Sequence, residues 1–247
     1  MVFQEDPGTD SAYNITCAGS GRIAERGSKV TTEVLVKEKK PQVFDFDIPD
    51  SVLEHYLTKG CIAVDTETRG LKIPRDRLCL VQICDDDGLV TFVKFHDPKK
   101  LPTREDSNLK KLFEAESVVK LFHYARFDVA VMKYYLDIDI NPIWCTKIAS
   151  KLVRTYTDRH SLKYLVSEML GMELDKSNQT SDWARIDLTD AQLEYAANDV
   201  RVLPPLKEKL TEVLEREDRM ELAQKLFKTI PTICELDIKG FAGIFEH

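Results

Sequence analysis

The sequence lacks the features that mark membrane proteins and secreted proteins. No apolar run approaches the roughly 18 residues that a helix needs to cross a bilayer. The first residues carry neither the basic segment nor the apolar core of a secretory signal. Six cysteines are present, and none forms a C-x-x-C pair with another. We therefore expect a cytoplasmic protein with reduced thiols and no association with a membrane.

A surplus of positive charge is missing as well. The chain has 35 lysines and arginines against 42 aspartates and glutamates, a formal net charge of −7. Proteins that grip long nucleic acids by their phosphates usually carry a basic surface. If nucleic acid is the substrate, metal ions must supply much of the positive charge, and this favours a short substrate.

The length of 247 residues fits one large domain with an extension. Residues 1–45 are polar and show no sustained periodicity, although 31–36 could form a strand. We interpret 1–45 as a partly flexible N-terminal extension, with a pairing arm for another subunit as the alternative. Residues 46–247 are predicted to form a single domain with no additional C-terminal domain.

Apolar runs in the first half of this domain predict three strands, at 61–64, 78–84 and 89–95. Short turns between them favour an antiparallel meander. Helical patterns at 107–115 and 128–136 then flank a further strand at 118–122. Strands followed by alternating helices and strands predict an α/β fold, in which helices flank a mixed sheet.

Two carboxylates, Asp65 and Glu67, follow the first of these strands directly. Residues two apart in a strand point to the same face, so these like charges project side by side. They could be solvated at the strand end, or they could bind a divalent metal through hard oxygen ligands.

Three more candidate residues lie downstream. Asp128 falls at the start of a helix, where by itself it would be a favourable charge on the helix dipole. Tyr195 and Asp199, four residues apart, share one face of a predicted helix. Thr189-Asp190-Ala191-Gln192 has the pattern of a capping box, so this helix should begin there. If the four acids converge, they offer oxygen ligands for two cations about 3.5–4 Å apart. Mg²⁺ or Mn²⁺ suits such a site.

The residues 65–67, 123–128 and 195–199 resemble the three exonuclease motifs of the DEDD superfamily. The tyrosine four residues before the last aspartate is typical of the DEDDy branch, which includes ribonuclease D. The stretches 144–152, 154–160 and 231–237 resemble more closely the nano-RNase C group, small DEDDy enzymes that degrade RNA dinucleotides. This resemblance covers roughly residues 50 to 245 and implies an RNase H-like fold. It also implies a ring-shaped homo-octamer, although the N-terminal extension is longer than expected for that group.

The resemblance implies a role for each motif residue. Asp65 should bridge both metals, Glu67 and Asp199 should complete the site that activates water, and Asp128 should support the second metal. Tyr195 should orient the water that attacks the last phosphodiester, which releases a nucleoside 5′-monophosphate.

Candidate substrate contacts follow the first motif. The backbone from Thr66 to Thr68 should meet the terminal ribose. Leu71 stands where related oligoribonucleases place a leucine wedge between two bases. Its alternative is a loop leucine that packs into the core.

A second set of candidate contacts comes from two later segments. His123 and Phe127 are predicted to line the 3′ nucleotide, or to be packing residues. Arg154, Arg159 and His160 could cap a 5′ phosphate, either in the same subunit or in a neighbour, or they could belong to a solvated loop.

The sequence thus favours a metal-dependent 3′→5′ exoribonuclease that acts on very short RNA. A ribonuclease D-like trimming enzyme for structured RNA ends is the nearest alternative, and a DNA exonuclease is another. A catalytically inactive scaffold would be expected to lack at least one ligand, and all five motif residues are present.

Overall fold

A six-stranded mixed sheet lies at the centre of the computed structural model, which describes residues 39–100, 106–174 and 181–244. The strand order across the sheet is β1-β4-β3-β2-β5-β6. The strands are β1 Gln42–Asp45, β2 Cys61–Thr68, β3 Leu78–Cys84, β4 Val90–Lys94, β5 Val119–Phe122 and β6 Ile143–Cys145.

Helices surround this sheet. The pair α3 and α8 packs together, as does the pair α4 and α7, and α6 packs against β2 and β3. The helices are α1 Asp50–Leu57, α2 Asn108–Glu114, α3 Ala125–Leu136, α4 Thr146–Val153, α5 Leu162–Leu170, α6 Asp190–Arg201, α7 Leu203–Arg216 and α8 Met220–Ile238, with a 3₁₀ turn at Pro98–Lys100. The described residues all belong to one compact unit, Thr32–His247.

The predicted mixed sheet is confirmed. The β2, β3 and β4 strands form an antiparallel meander, whereas β5 pairs in parallel with β2, and β6 with β5. Every residue of β3 is buried, as its continuous apolar run predicts. Helix α3 makes the crossover from β5 to β6, which a parallel pair requires.

Residues 42–45, predicted to belong to the extension, lie in the sheet as β1. This strand pairs in parallel with β4, with Gln42 opposite Thr91. It has four residues and lies at the sheet edge with most side chains exposed, so it carries no alternating apolar pattern. The candidate strand at 31–36 lies outside the described residues.

Helix α8 was not identified from the sequence because Pro231 lies inside it. Proline removes a hydrogen bond and clashes with the preceding turn, at a cost of about 3 kcal/mol in a helix interior. The helix continues because one face is buried along its whole length. That face consists of Ala223, Phe227, Ile230 and Cys234.

Five cysteines lie in the described part of the chain, all as free thiols and four of them buried. None of the described helices is both long enough and apolar enough to cross a membrane.

Lys120, in the middle of β5, is fully buried. Its Nζ donates to the carbonyl oxygens of Ala115 at 2.8 Å and Asn141 at 2.6 Å, which ties together the segments that precede β5 and β6. Burial disfavours the charged form and lowers the pKa of Lys120 to about 7.

This lysine should make stability depend on pH above neutrality. The unfolded chain holds the Lys120 proton up to about pH 10.5, but the folded chain releases it above about pH 7. Stability should therefore rise with pH across this window, by at most about 1.4 kcal/mol per pH unit. In urea unfolding from pH 7.5 to 9.5, Lys120→Met should flatten that rise, whereas the exposed-residue variant Lys228→Met should preserve it. Parallel curves for wild type and Lys120→Met would contradict the prediction.

Candidate active site

Three carboxylates meet at the C-terminal half of β2. Asp65 and Glu67 lie on one face of β2, and Asp199 comes from α6, which packs over that strand. One oxygen of each carboxylate can be chosen so that all three lie within 4.8 Å of one another. All three residues are partly buried.

Local sequence sets the position of α6. The predicted capping box is present: the Thr189 side chain accepts from the Gln192 backbone N–H, and the Gln192 side chain accepts from the Thr189 backbone N–H. Ala196 and Val200 are fully buried, which fixes the rotation of the helix over the sheet. This rotation places Asp199 beside the β2 carboxylates.

Asp128 reaches the same site from the first turn of α3. The chain turns sharply between β5 and α3 at Tyr124, whose φ of 70° is left-handed and unfavourable for a non-glycine residue. Asp128 is buried, and Thr66 Oγ1 donates to its Oδ1 at 2.7 Å. The sequence predicts a role for the Thr66 backbone only and does not reveal that of its hydroxyl, because the contact joins residues 62 positions apart.

The carboxylates perturb one another strongly. Burial and the nearby charges of Asp128, Glu67 and Asp199 raise the pKa of Asp65 well above its usual range. Burial, followed by Asp199 and Asp128, likewise raises the pKa of Glu67. Burial raises the pKa of Asp128 to about 7, although the Thr66 hydrogen bond opposes the shift. A divalent cation would relieve this repulsion, and an all-carboxylate donor set fits Mg²⁺ or Mn²⁺.

Tyr195 lies one helical turn before Asp199. Burial, the negative charge of Asp199 and a hydrogen bond to its carboxylate raise the pKa of the Tyr195 hydroxyl. The hydroxyl therefore stays protonated near neutral pH and can orient a polar molecule. The Tyr195 ring packs beside the buried Trp183, with 6.0 Å between ring centroids.

A second group of acids, Asp85, Asp86 and Asp87, occupies the turn between β3 and β4. Lys59 Nζ lies 3.6, 3.1 and 2.8 Å from their respective carboxylates, and His55 Nε2 lies 2.8 Å from Asp85. The lysine offsets part of this charge, and we interpret the three acids as part of a structural turn.

The predicted substrate contacts differ in their exposure. Leu71 is 83% exposed, so the alternative of a core-packed loop leucine is wrong. The Thr68 hydroxyl donates to the Gly70 carbonyl and holds the start of this loop. His123 Nδ1 lies 2.8 Å from Thr146 Oγ1, and Phe127 is half-buried against the core.

The segment after α4 is not simply a solvated loop. Arg154 is buried and forms a bidentate ion pair with Glu168, while its Nη1 donates to the Arg159 carbonyl at 2.7 Å. His160 Nδ1 lies 2.9 Å from Ser150 Oγ. The Arg159 side chain is exposed, with its guanidinium 5.2 Å from the Tyr164 ring centroid. Arg154, Arg159 and Tyr164 contribute to the lining of a cavity of about 380 Å³.

Comparison with known proteins gives the family of the chain. A family described as 3′-5′ exonuclease matches residues 42–215, which begin at β1 and include all five motif residues. The chain belongs to this 3′-5′ exonuclease family.

DNA polymerase I of Aquifex aeolicus is 37% identical over 183 residues, or 74% of this chain and 29% of that protein. Ribonuclease D of Gluconacetobacter diazotrophicus is 31% identical over 170 residues, or 69% of this chain and 42% of that enzyme. The chain thus spans less than half the length of these curated relatives.

Solved structures of exonuclease relatives agree with the predicted RNase H-like fold and with the nano-RNase C resemblance. Brucella melitensis NrnC is 45% identical with a TM-score of 0.76, and the match covers 83% of this chain and 96% of that one. Other structures of the same protein contain bound Mg²⁺ or pGG. Escherichia coli RNase D, at 24% identity, has a TM-score of 0.68 over 79% of this chain and 51% of that one, and shows the fold alone.

Proposed function

We propose that this exonuclease-family protein is a metal-dependent 3′→5′ exoribonuclease that degrades very short RNA, especially dinucleotides, to nucleoside 5′-monophosphates. The observation that carries the proposal is the convergence of Asp65, Glu67 and Asp199 within 4.8 Å, with Asp128 adjacent and Tyr195 one turn away. This arrangement suits hydrolysis of a phosphodiester.

The carboxylates would hold two divalent cations, Mg²⁺ or Mn²⁺. Asp65 would contact both, Glu67 and Asp199 would complete one position, and Asp128 would support the other. When bound, the cations would neutralise charge on the phosphodiester and make an attacking water more acidic. The Mg²⁺ in the NrnC structure supports this choice of metal.

The protein's own side chains would position the reactants. Tyr195, protonated and half-buried, would hold the attacking water by its hydroxyl. Thr66 would keep the Asp128 carboxylate in place through its 2.7 Å hydrogen bond. The backbone from Thr66 to Thr68 would meet the terminal ribose.

Several observations support a short substrate. NrnC, which is similar over most of this chain, has been solved with pGG. The formal net charge of −7 disfavours a long phosphate-binding surface. Leu71 projects from its loop and could insert between the two bases, while His123 and Phe127 would line the 3′ nucleotide.

Arg159 would pair with a 5′ phosphate. Its exposed side chain lies at the cavity beside Tyr164, whereas the Arg154 guanidinium is engaged by Glu168. Arg154 and His160 would then shape the cap, because both hydrogen-bond to Ser150.

Removing the Leu71 side chain should weaken dinucleotide cleavage. A leucine buried between bases contributes about 1.5–3 kcal/mol, so Leu71→Ala should lower kcat/KM for a dinucleotide at least about tenfold. Steady-state kinetics on pGG measures the loss. Leu222→Ala removes another exposed leucine, on α8, and should leave the kinetics unchanged. Equal kcat/KM for Leu71→Ala and wild type would contradict the proposed insertion of Leu71 between the two bases.

The decisive experiment is a time course on 5′-labelled RNAs of two, five and twenty nucleotides, with Mg²⁺, with Mn²⁺ or with EDTA. We expect rapid metal-dependent loss of the dinucleotide while the longer RNAs persist. Stepwise shortening of the twenty-mer at a similar rate would favour ribonuclease D-like trimming instead. A deoxyribose dinucleotide cleaved equally fast would favour a DNA exonuclease, and no cleavage of any substrate would favour a scaffold.

We also propose that the protein works in the cytoplasm as a homo-octameric ring. The five described cysteines, which form no disulfide, support the compartment, and the similarity to the nano-RNase C group supports the assembly. Light scattering on the purified full-length protein gives the molar mass, and a monomeric mass would contradict the ring.

A further inference from the structure

The middle of β3 contains a polar residue, Gln82, within a strand that is otherwise apolar. Gln82 is fully buried, and its neighbours in sequence are Val81 and Ile83. Neither the nitrogen nor the oxygen of its amide has a hydrogen-bond partner among the described residues. Such unpaired buried groups are unfavourable and rare in folded proteins, so the position calls for a physical reason.

Other buried polar side chains of this sheet are paired. On β4, Thr91 Oγ1 accepts a 2.8 Å hydrogen bond from the Tyr56 hydroxyl. On β5, Lys120 donates to two carbonyl oxygens. The sheet therefore satisfies buried polar groups elsewhere, and Gln82 differs in having both amide atoms unpaired.

The register of the sheet places Gln82 next to the candidate active site. In the antiparallel pair of β2 and β3, Gln82 lies directly opposite Asp65. Directly opposed residues point to the same face, with Cβ atoms about 4.5–5.5 Å apart. Gln82 thus projects to the face on which Asp65 and Glu67 meet Asp199.

An amide in that position is suited to hold a carboxylate that binds a cation. An ionised carboxylate has about four lone-pair sites, so cations leave some of them available. A hydrogen bond to one of these sites fixes the orientation of the carboxylate, as outer groups do in many metal sites.

We propose that Gln82 is a positioning residue for Asp65, whose carboxylate accepts a hydrogen bond from the Gln82 amide when it holds a cation. The proposal rests on the metal-binding function proposed above. The proposal explains why the sheet contains an unpaired amide. The amide contributes little to the stability of the metal-free protein, but it orients Asp65 when the site holds a cation.

The two roles that Gln82 could have, positioning and packing, predict opposite results for Gln82→Met. This substitution keeps the length of the side chain and removes the amide. If Gln82 positions Asp65, the dissociation constant for Mn²⁺ alone, measured by titration calorimetry, should rise 10- to 100-fold. The melting temperature of the metal-free protein should stay equal or increase, because an apolar group replaces an unpaired one. A lower melting temperature with an unchanged dissociation constant would overturn the proposal.

Control variants separate the possible failures. Ile83→Val alters the same strand on its opposite face, and it should lower the melting temperature without changing the dissociation constant. If Gln82→Met does not fold, Gln82→Asn retracts the amide by one methylene and should weaken Mn²⁺ binding similarly. Unchanged binding in that variant would overturn the proposal. Absence of Mn²⁺ binding by the wild type would overturn the proposed function itself.

Discussion

Asp65→Asn should lower the rate of dinucleotide cleavage by at least about a thousandfold, which corresponds to roughly 4 kcal/mol of transition-state stabilisation. Asp65 is the carboxylate whose pKa responds to all three of the other acids, so it lies at the centre of the cluster. Asparagine keeps the shape but removes the charge that a bridging metal ligand must supply. Single-turnover cleavage of pGG at saturating Mn²⁺ would measure the loss.

The same variant should be more stable than the wild type when metal is absent. Because the pKa of Asp65 is raised in the folded protein, the folded state binds its proton more tightly than the unfolded chain does. Metal-free wild type should therefore lose stability as the pH rises above the usual aspartate range, and asparagine, which does not titrate, removes this loss. Melting curves with and without Mn²⁺ should show a higher metal-free temperature for Asp65→Asn and a smaller increase on adding metal.

A matched control exists in the other acidic group. Asp86→Asn changes an exposed aspartate that pairs with Lys59 at 3.1 Å, and it should leave both cleavage and the Mn²⁺-dependent melting increase intact. Cleavage by Asp65→Asn at near the wild-type rate would refute the metal-site assignment.

Tyr195→Phe should lower kcat by about a hundredfold or more, in the range found for positioned proton-transfer groups. The hydroxyl would orient water in the transition state, whereas the aromatic ring only packs beside Trp183. Phenylalanine preserves that packing but loses the hydrogen bond to the Asp199 carboxylate, so the fold should change little and kcat should fall by more than the Mn²⁺ affinity. Comparing the change in kcat with the change in the calorimetric dissociation constant for Mn²⁺ separates an effect on catalysis from an effect on metal binding.

The pH profile provides an independent check on Tyr195. Because its pKa is raised, wild-type activity should show no loss from tyrosine ionisation up to about pH 10, its unperturbed value. Tyr134→Phe changes an exposed tyrosine on α3 and should be kinetically silent. If Tyr195→Phe retained wild-type kcat, the water-orienting role would have to be abandoned.

Short-range patterns in the sequence predicted much of the fold. The apolar run of β3 and the capping box at Thr189 each depend on residues within one element, and both lie where they were predicted. Elements that depend on distant partners were missed. The exposed strand β1 is held by pairing with β4, and α8 continues through Pro231 because its buried face packs on α3 and other elements.

The sequence by itself determined the family, the mixed α/β sheet and the chemistry of the candidate ligands, because motif order and strand alternation are local properties of the chain. Tertiary structure alone decided how those groups are supported. It placed the Thr66 hydroxyl on Asp128, engaged Arg154 with Glu168, exposed Leu71 and set Gln82 opposite Asp65. Each of these depends on contacts or burial among segments far apart in the chain, which no periodicity of the sequence records.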